Sequence, residues 1–292
     1  MTDKEKIMLK IENLSFSYKK GRPVLKGIDL TLNEGIYALV GKNGCGKSTL
    51  MKLICTSLAS REGVISIDGV HSREEGYNAK LSYLPQVFDI YGSLRVREVL
   101  AFAAGIIGVS KSDMNEIINT VADMANVTEY LNRKFSRCSE GTRRRVGIAV
   151  SLIGDKNVII LDEPTAGLDP SERARFYETV LRCFAGKTVL LSTHILEDIE
   201  QLADNVLMMS NGRITYSGTY SDYCRVLDGR LYTARIPVKM RDSCVILSES
   251  RTPEREVISR VVSDTPLPDD WSPIAVEPTR EDVWNYFEGE YR

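Results

Sequence analysis

The densest chemistry in the chain lies in Gly41-Lys42-Asn43-Gly44-Cys45-Gly46-Lys47-Ser48-Thr49. This stretch reads G-x-x-x-x-G-K-S between an apolar strand ending at Val40 and an apolar helix carrying Leu50, Met51, Leu53 and Ile54. The strand–loop–helix setting separates a phosphate-binding loop from a chance match. Its glycines let the backbone curl until successive N–H groups point inward as a nest for phosphate oxygens. The helix begins behind that nest, so its free N–H groups and positive dipole end face the same anion. Lys47 can reach the β- and γ-phosphates, and the Ser48 hydroxyl is placed to ligate Mg²⁺. The implied ligand is a magnesium-bound nucleotide.

A second group of candidates follows two other apolar runs. Val158-Ile159-Ile160-Leu161 ends in Asp162-Glu163, and Thr188-Val189-Leu190-Leu191 ends in Ser192-Thr193-His194. A carboxylate at the carboxyl end of a buried parallel strand sits in the crevice where such sheets bind ligands. Asp162 suits Mg²⁺, directly or through water, and Glu163 can polarise an attacking water.

Parallel strands and crossover helices must hold these groups, and the hydropathy pattern supplies them. The two runs are short, continuous and β-branched, as in strands buried on both faces. Helical stretches at 172–184 and 195–202 follow them, and another follows Ser139 with Val146, Ala149, Val150 and Ile153 on one face. That alternation predicts a parallel sheet with right-handed crossovers. Residues 8–40 read as an antiparallel β region, with a bulge at Glu12-Asn13. Residues 63–69 and 81–86 read as further strands, the latter stopping at Pro85, and 94–131 is helical in period. After Arg213, strand-like pieces at 231–238, 244–247 and 256–262, a proline-rich bend and a closing helix at 279–289 predict a small α+β domain. The expected organisation is 1–220 and 221–292.

The composition restricts the partners. The 292 residues are 43% hydrophobic and 27% charged, and 38 basic residues against 40 acidic ones give a net charge of −2. No global field draws such a chain to nucleic acid or anionic lipid. Six cysteines without C-x-x-C pairs read as reduced thiols of a cytosolic protein. The charged start, Met1 to Lys6, does not read as a signal peptide. The longest apolar run, Val99 to Val109, is roughly half of the ~20 residues that a membrane helix needs. Any transport role therefore needs a separate membrane partner.

Taken together, the loop, the Asp162-Glu163 pair followed by Pro164-Thr165-Ala166-Gly167-Leu168-Asp169, and His194 resemble the ATP-binding cassette (ABC) family over roughly residues 8–216. The resemblance implies an α/β P-loop NTPase fold: a RecA-like parallel core with an antiparallel β subdomain and a helical subdomain. It implies ATP and Mg²⁺ as cofactors, with Tyr18 stacking on adenine and Gln86 sensing Mg²⁺ and linking to the membrane partner. It also implies Asp169 in the loop that crosses to a second subunit, and His194 at the γ-phosphate. The family's Leu-Ser-Gly-Gly-Gln signature stands here as Cys138-Ser139-Glu140-Gly141-Thr142. In the family this stretch grips the ATP of the opposite subunit. Ser139 and the small Gly141 keep features for that task, while Glu140 adds negative charge near a triphosphate and Thr142 shortens the amide. The following Arg143–Arg145 run reads as a solvated helix face.

Pro278-Thr279-Arg280-Glu281-Asp282-Val283-Trp284 resembles the ending of ATPase subunits of ABC-2-type exporters, and also reads as a Thr-capped helix. The expectation is an exporter ATPase working with a membrane-spanning permease and a second ATPase subunit, a homodimer favoured over a heterodimer. It would lie in the cytoplasm, against the inner face of the plasma membrane. A soluble cofactor-assembly ATPase and a regulatory ATP-sensing cassette with little turnover are the rival readings.

Overall fold

Alternation of apolar residues starts the chain as a strand, Leu9–Phe16 (β1), which pairs antiparallel with Leu25–Leu32 (β2). The register shifts between Ile11 and Leu14, and Asn13 there has a φ of 45°, so the expected bulge is present. This computed structural model describes residues 8–19, 21–88, 92–253 and 255–289. The chain continues through Gly35–Val40 (β3), Lys47–Ile54 (α1), Glu62–Ile67 (β4), Val70–His71 (β5) and Leu81–Leu84 (β6). Helices Val96–Ile106 (α2), Met114–Met124 (α3) and Glu140–Leu152 (α4) come next. Val158–Asp162 (β7), Pro170–Cys183 (α5), Thr188–Thr193 (β8), Leu196–Leu202 (α6), Asn205–Ser210 (β9) and Arg213–Thr219 (β10) complete this region.

Contacts divide the chain into two units, Met1–Ser217 and Gly218–Arg292. In the first, β2-β1-β4-β5 form one sheet and β10-β9-β3-β8-β7-β6 a second. The pairs β3/β8, β3/β9, β7/β8 and β6/β7 are parallel. β3 therefore departs from the antiparallel reading of residues 8–40. Five of its six residues are buried, and it sits between two parallel partners, where an apolar run without alternation belongs. Strands β9 and β10 were not anticipated, although Asn211-Gly212 between them is a strong hairpin signal.

The second unit contains Tyr220–Cys224 (α7), Leu231–Ala234 (β11), Val245–Arg251 (β12), Val257–Val262 (β13), Ile274–Ala275 (β14) and Arg280–Glu288 (α8). Its sheet order is β12-β13-β11-β14, with Ala234, Ile236, Val261 and Trp271 in its core. The strand expected at 231–238 stops at Ala234, and a 3-10 turn occupies Val238–Ser243 after Pro237. All six cysteines are free thiols. No helix among the described residues is long and apolar enough to cross a membrane.

Candidate functional site

The site is built at the carboxyl ends of four adjacent parallel strands. In the order β3-β8-β7-β6, the chain leaves the sheet into Gly41, His194, Glu163 and, one residue beyond Pro85, Gln86. Open α/β sheets place ligands in this crevice.

The loop after β3 owes its path to Gly41, whose φ is 151°. A Cβ there would meet the Met209 carbonyl oxygen at 2.1 Å, so only glycine lets the loop lie against β9. Gly46 precedes α1, and no side chain caps that helix, leaving its first N–H groups for an anion. Lys47 is buried, and its ammonium donates to the carbonyl oxygens of Gly41 and, at 3.3 Å, Lys42. Among the described residues no carboxylate forms an ion pair with it. A buried cation held by carbonyls and uncapped amides is a donor set that fits a triphosphate.

Asp162 is buried, and its hydrogen-bond partners among the described residues are neutral. Ser192 Oγ donates to Oδ1 at 2.7 Å, and Tyr83 OH to Oδ2 at 3.3 Å. Its charge is thus left for a cation, which fits Mg²⁺ arriving with the nucleotide. Burial, and next the Asp162 charge, push the Tyr83 phenol above its ordinary range, so it stays a donor.

Glu163 has a φ of 46°, a left-handed conformation that a non-glycine residue rarely adopts. Its N–H donates to Ser192 Oγ at 3.0 Å and to the Ser192 carbonyl at 3.2 Å, which fixes the turn. Gln86 Nε2 donates to Glu163 Oε2 at 2.9 Å, and His194 Nδ1 lies 3.6 Å from Glu163 Oε1. Two residues distant in sequence, Gln86 and His194, thus meet on the Glu163 carboxylate. Tyr83 and Ser192, which also shape the site, escaped the sequence reading. Ser192 lies in the Ser-Thr-His stretch and was legible there, whereas Tyr83 had no motif.

Tyr18 lies beyond the end of β1 and is exposed, its ring edge-on to Phe16 at 5.0 Å. Its hydroxyl is 3.3 Å from Thr49 Oγ1, beside the loop, and it lines a cavity of about 1150 Å³ with Phe16, Lys26, Arg61 and Arg213.

The 138–142 stretch stands apart from this cluster. Ser139 caps α4, accepting from Thr142 N at 3.2 Å, and Asp169 caps α5, accepting from Glu172 N at 2.9 Å. Among the described residues no hydrogen bond joins Ser139, Gly141 or Asp169 to Gly41–Thr49. Glu140 turns back along its helix, its Oε1 3.2 Å from Arg144 Nε and its Oε2 3.9 Å from Arg143 Nη1, so much of its charge is answered locally. Gly141 is buried against α5, where a Cβ would lie 2.0 Å from Glu172 Oε2. The solvated reading of Arg143–Arg145 is corrected for two members. Arg144 and Arg145 are buried, Arg145 pairing with Glu172 at 2.7 Å and Arg144 donating to the Pro85 carbonyl at 3.1 Å.

The ABC transporter family pattern matches residues 25–166. An uncharacterized ABC transporter ATP-binding protein of Methanocaldococcus jannaschii is 30% identical over 250 residues, 82% of this chain and 90% of the relative. The chain belongs to the ATP-binding proteins of ABC transporters. The linearmycin resistance ATP-binding protein LnrL of Bacillus subtilis is 31% identical, covering 76% of this chain and 72% of that protein. Among solved structures, cbiO1 of Clostridium perfringens, described as part of the transporter complex cbiONQ, is 27% identical with a TM-score of 0.67. That match covers 75% of this chain and 90% of the other. The α/β P-loop fold anticipated from the resemblance is the fold observed, and as a family member the chain is an ATPase that uses ATP with Mg²⁺. It is the kind of subunit that dimerises and works with membrane permeases.

Proposed function

We propose that this chain is the ATPase subunit of an exporter, residues 1–220 forming the nucleotide-binding domain and 221–292 an accessory domain. The observation that carries the reading is the meeting of Gln86 and His194 on Glu163, at the ends of strands adjacent to the Gly41–Thr49 loop. MgATP is the substrate. Gly41 to Gly46 supply backbone donors, Lys47 the cation, Ser48 and Thr49 hydroxyls, and Tyr18 a platform for the base. Ser48, Gln86 and Asp162 would hold the Mg²⁺ that comes with the nucleotide, and that ion would supply charge neutralisation at the phosphates. Glu163 takes the proton of the attacking water, and His194 contacts the γ-phosphate. This is positioning and charge stabilisation, with no covalent intermediate on the protein.

Ser139 and Gly141 complete the site of a second copy across the dimer, and Asp169 crosses the same interface. The dimer rests on the cytoplasmic side of a membrane-spanning permease, whose resetting follows reopening. Export as the direction is supported by the Pro278–Trp284 resemblance and by a relative named for linearmycin resistance. The test is affinity purification of the full chain from detergent-solubilised membranes. The expected result is stoichiometric recovery of a polytopic membrane protein and ATP hydrolysis by the complex. Recovery wholly in the soluble fraction, with no membrane protein, would overturn the reading in favour of a soluble ATPase.

A further inference from the structure

Between the exposed start of α4 and Gln86 runs a continuous set of contacts. Glu140 lies half-exposed in the first turn, its carboxylate against Arg144 Nε at 3.2 Å. Arg144 is only 4% exposed and donates from Nη1 to the Pro85 carbonyl at 3.1 Å. That carbonyl belongs to the peptide unit leading into Gln86, whose amide holds Glu163. One turn further along α4, Gly147 has no room for a side chain, since a Cβ would meet Leu84 Cδ1 at 2.4 Å. The helix is therefore pressed against the last residue of β6 at Leu84 and bonded to the next residue at Pro85.

We propose that Arg144 is a positioning residue that couples the Ser139–Thr142 end of α4 to Gln86 by holding the Pro85 carbonyl, with Glu140 setting its aim. The coupling rests on the site reading above, in which Gln86 and Glu163 act on MgATP. A buried guanidinium takes its position from the few groups that answer it. Among the described residues Arg144 has the Pro85 carbonyl as hydrogen-bond acceptor and the Glu140 carboxylate as ion-pair partner, one at each end of this path. A nucleotide brought to the start of α4 repels the Glu140 carboxylate and shifts the pull on Arg144. The Pro85–Gln86 peptide then moves, and with it the hydrogen bond on Glu163. The sequence makes this pairing specific to the chain, because the glutamate replaces the first glycine of the family's signature and the arginine stands one turn beyond.

The test compares Arg144→Met, Arg144→Gln, Glu140→Gln and Glu163→Gln in the full-length chain. Hydrogen–deuterium exchange at Gln86 without nucleotide is read beside kcat and KM for MgATP. Arg144→Met is expected to speed exchange at Gln86 and lower kcat about tenfold with KM within about twofold, the pattern of lost transition-state positioning. Arg144→Gln, which keeps a donor, falls between Met and wild type. Glu140→Gln, at an exposed position, serves if Arg144→Met does not fold, and is expected to lower kcat about threefold. Unchanged Gln86 exchange or an unchanged kcat in Arg144→Met overturns the coupling; so does unchanged kcat in Glu140→Gln. Loss of turnover in Glu163→Gln alongside those unchanged values confines the failure to Arg144, whereas full turnover in Glu163→Gln removes the site reading itself.

Discussion

Thr165 Oγ1 donates to Asp198 Oδ2 at 2.6 Å, joining the segment after Glu163 to the helix after His194. Asp198 is fully buried and also accepts from Tyr177 OH at 2.7 Å and from Thr193 Oγ1, the residue before His194. Three hydroxyls from separate elements thus converge on one carboxylate and fix both site-bearing turns to α5 and α6. Asp198→Ala strands those hydroxyls in the interior and is expected to cost about 3 kcal/mol or more. Urea denaturation reads the loss, and a midpoint equal to wild type would show that the network contributes nothing.

Glu163→Gln keeps the size of the side chain and removes the charge that activates water. MgATP is expected to bind and persist, and the protein to accumulate as a closed dimer visible by light scattering. The Gln86 contact tests the geometry further, because a glutamine at position 163 can still accept from Gln86 Nε2. Nucleotide binding should therefore survive while hydrolysis stops. A normal hydrolysis rate would move the role of base to another residue.

What the sequence made legible follows from how local each feature is. The Gly41–Thr49 loop and the Asp162-Glu163 pair are short stretches at strand ends, and buried parallel strands announce themselves as unbroken apolar runs. Arg144 and Arg145 were misread because a run of arginines normally faces water, and their acceptors, Pro85 and Glu172, are remote in sequence. Asp198 was passed over for the same reason: its donors come from residues 165, 177 and 193. Glu140 was read from its charge alone, and its answering arginine depends on helix geometry that places i and i+4 on one face.

In the second unit, Arg260 forks onto Asp282, Nε to Oδ1 at 2.7 Å and Nη2 to Oδ2 at 2.6 Å, and Thr279 adds its N–H and hydroxyl. Burial pushes the Asp282 carboxyl upward, but these donors outweigh it and hold the value below the ordinary range. A pKa lowered by folding adds stability above the unfolded value of about 3.9, and that stability is lost as pH falls through the folded value. Both tryptophans of the chain, Trp271 and Trp284, lie in this unit, so their fluorescence follows its unfolding. Asp282→Asn should be less stable than wild type at pH 7, with the gap closing as pH drops below about 4. A gap independent of pH would mean that the pair contributes no charge-dependent stability.

Gly141 separates two explanations for a small residue at the start of α4. Approach of a nucleotide to the backbone would make Gly141→Ala a turnover defect in a protein of normal stability. The packing points to a second demand, since the added Cβ would lie 2.0 Å from Glu172 Oε2 and 2.6 Å from Glu172 Cδ. Glu172 is not free to swing away, because Arg145 holds it at 2.7 Å and Arg175 at 3.4 Å. Displacing it would strand the buried Arg145 guanidinium, so Gly141→Ala is expected to cost about 1–3 kcal/mol without any nucleotide present. Truncating Glu172 removes the obstacle, and in a Glu172→Ala background the same substitution should cost far less. Denaturation of the four proteins without ATP gives the coupling directly. Equal costs of Gly141→Ala in both backgrounds would remove Glu172 as the reason for the glycine.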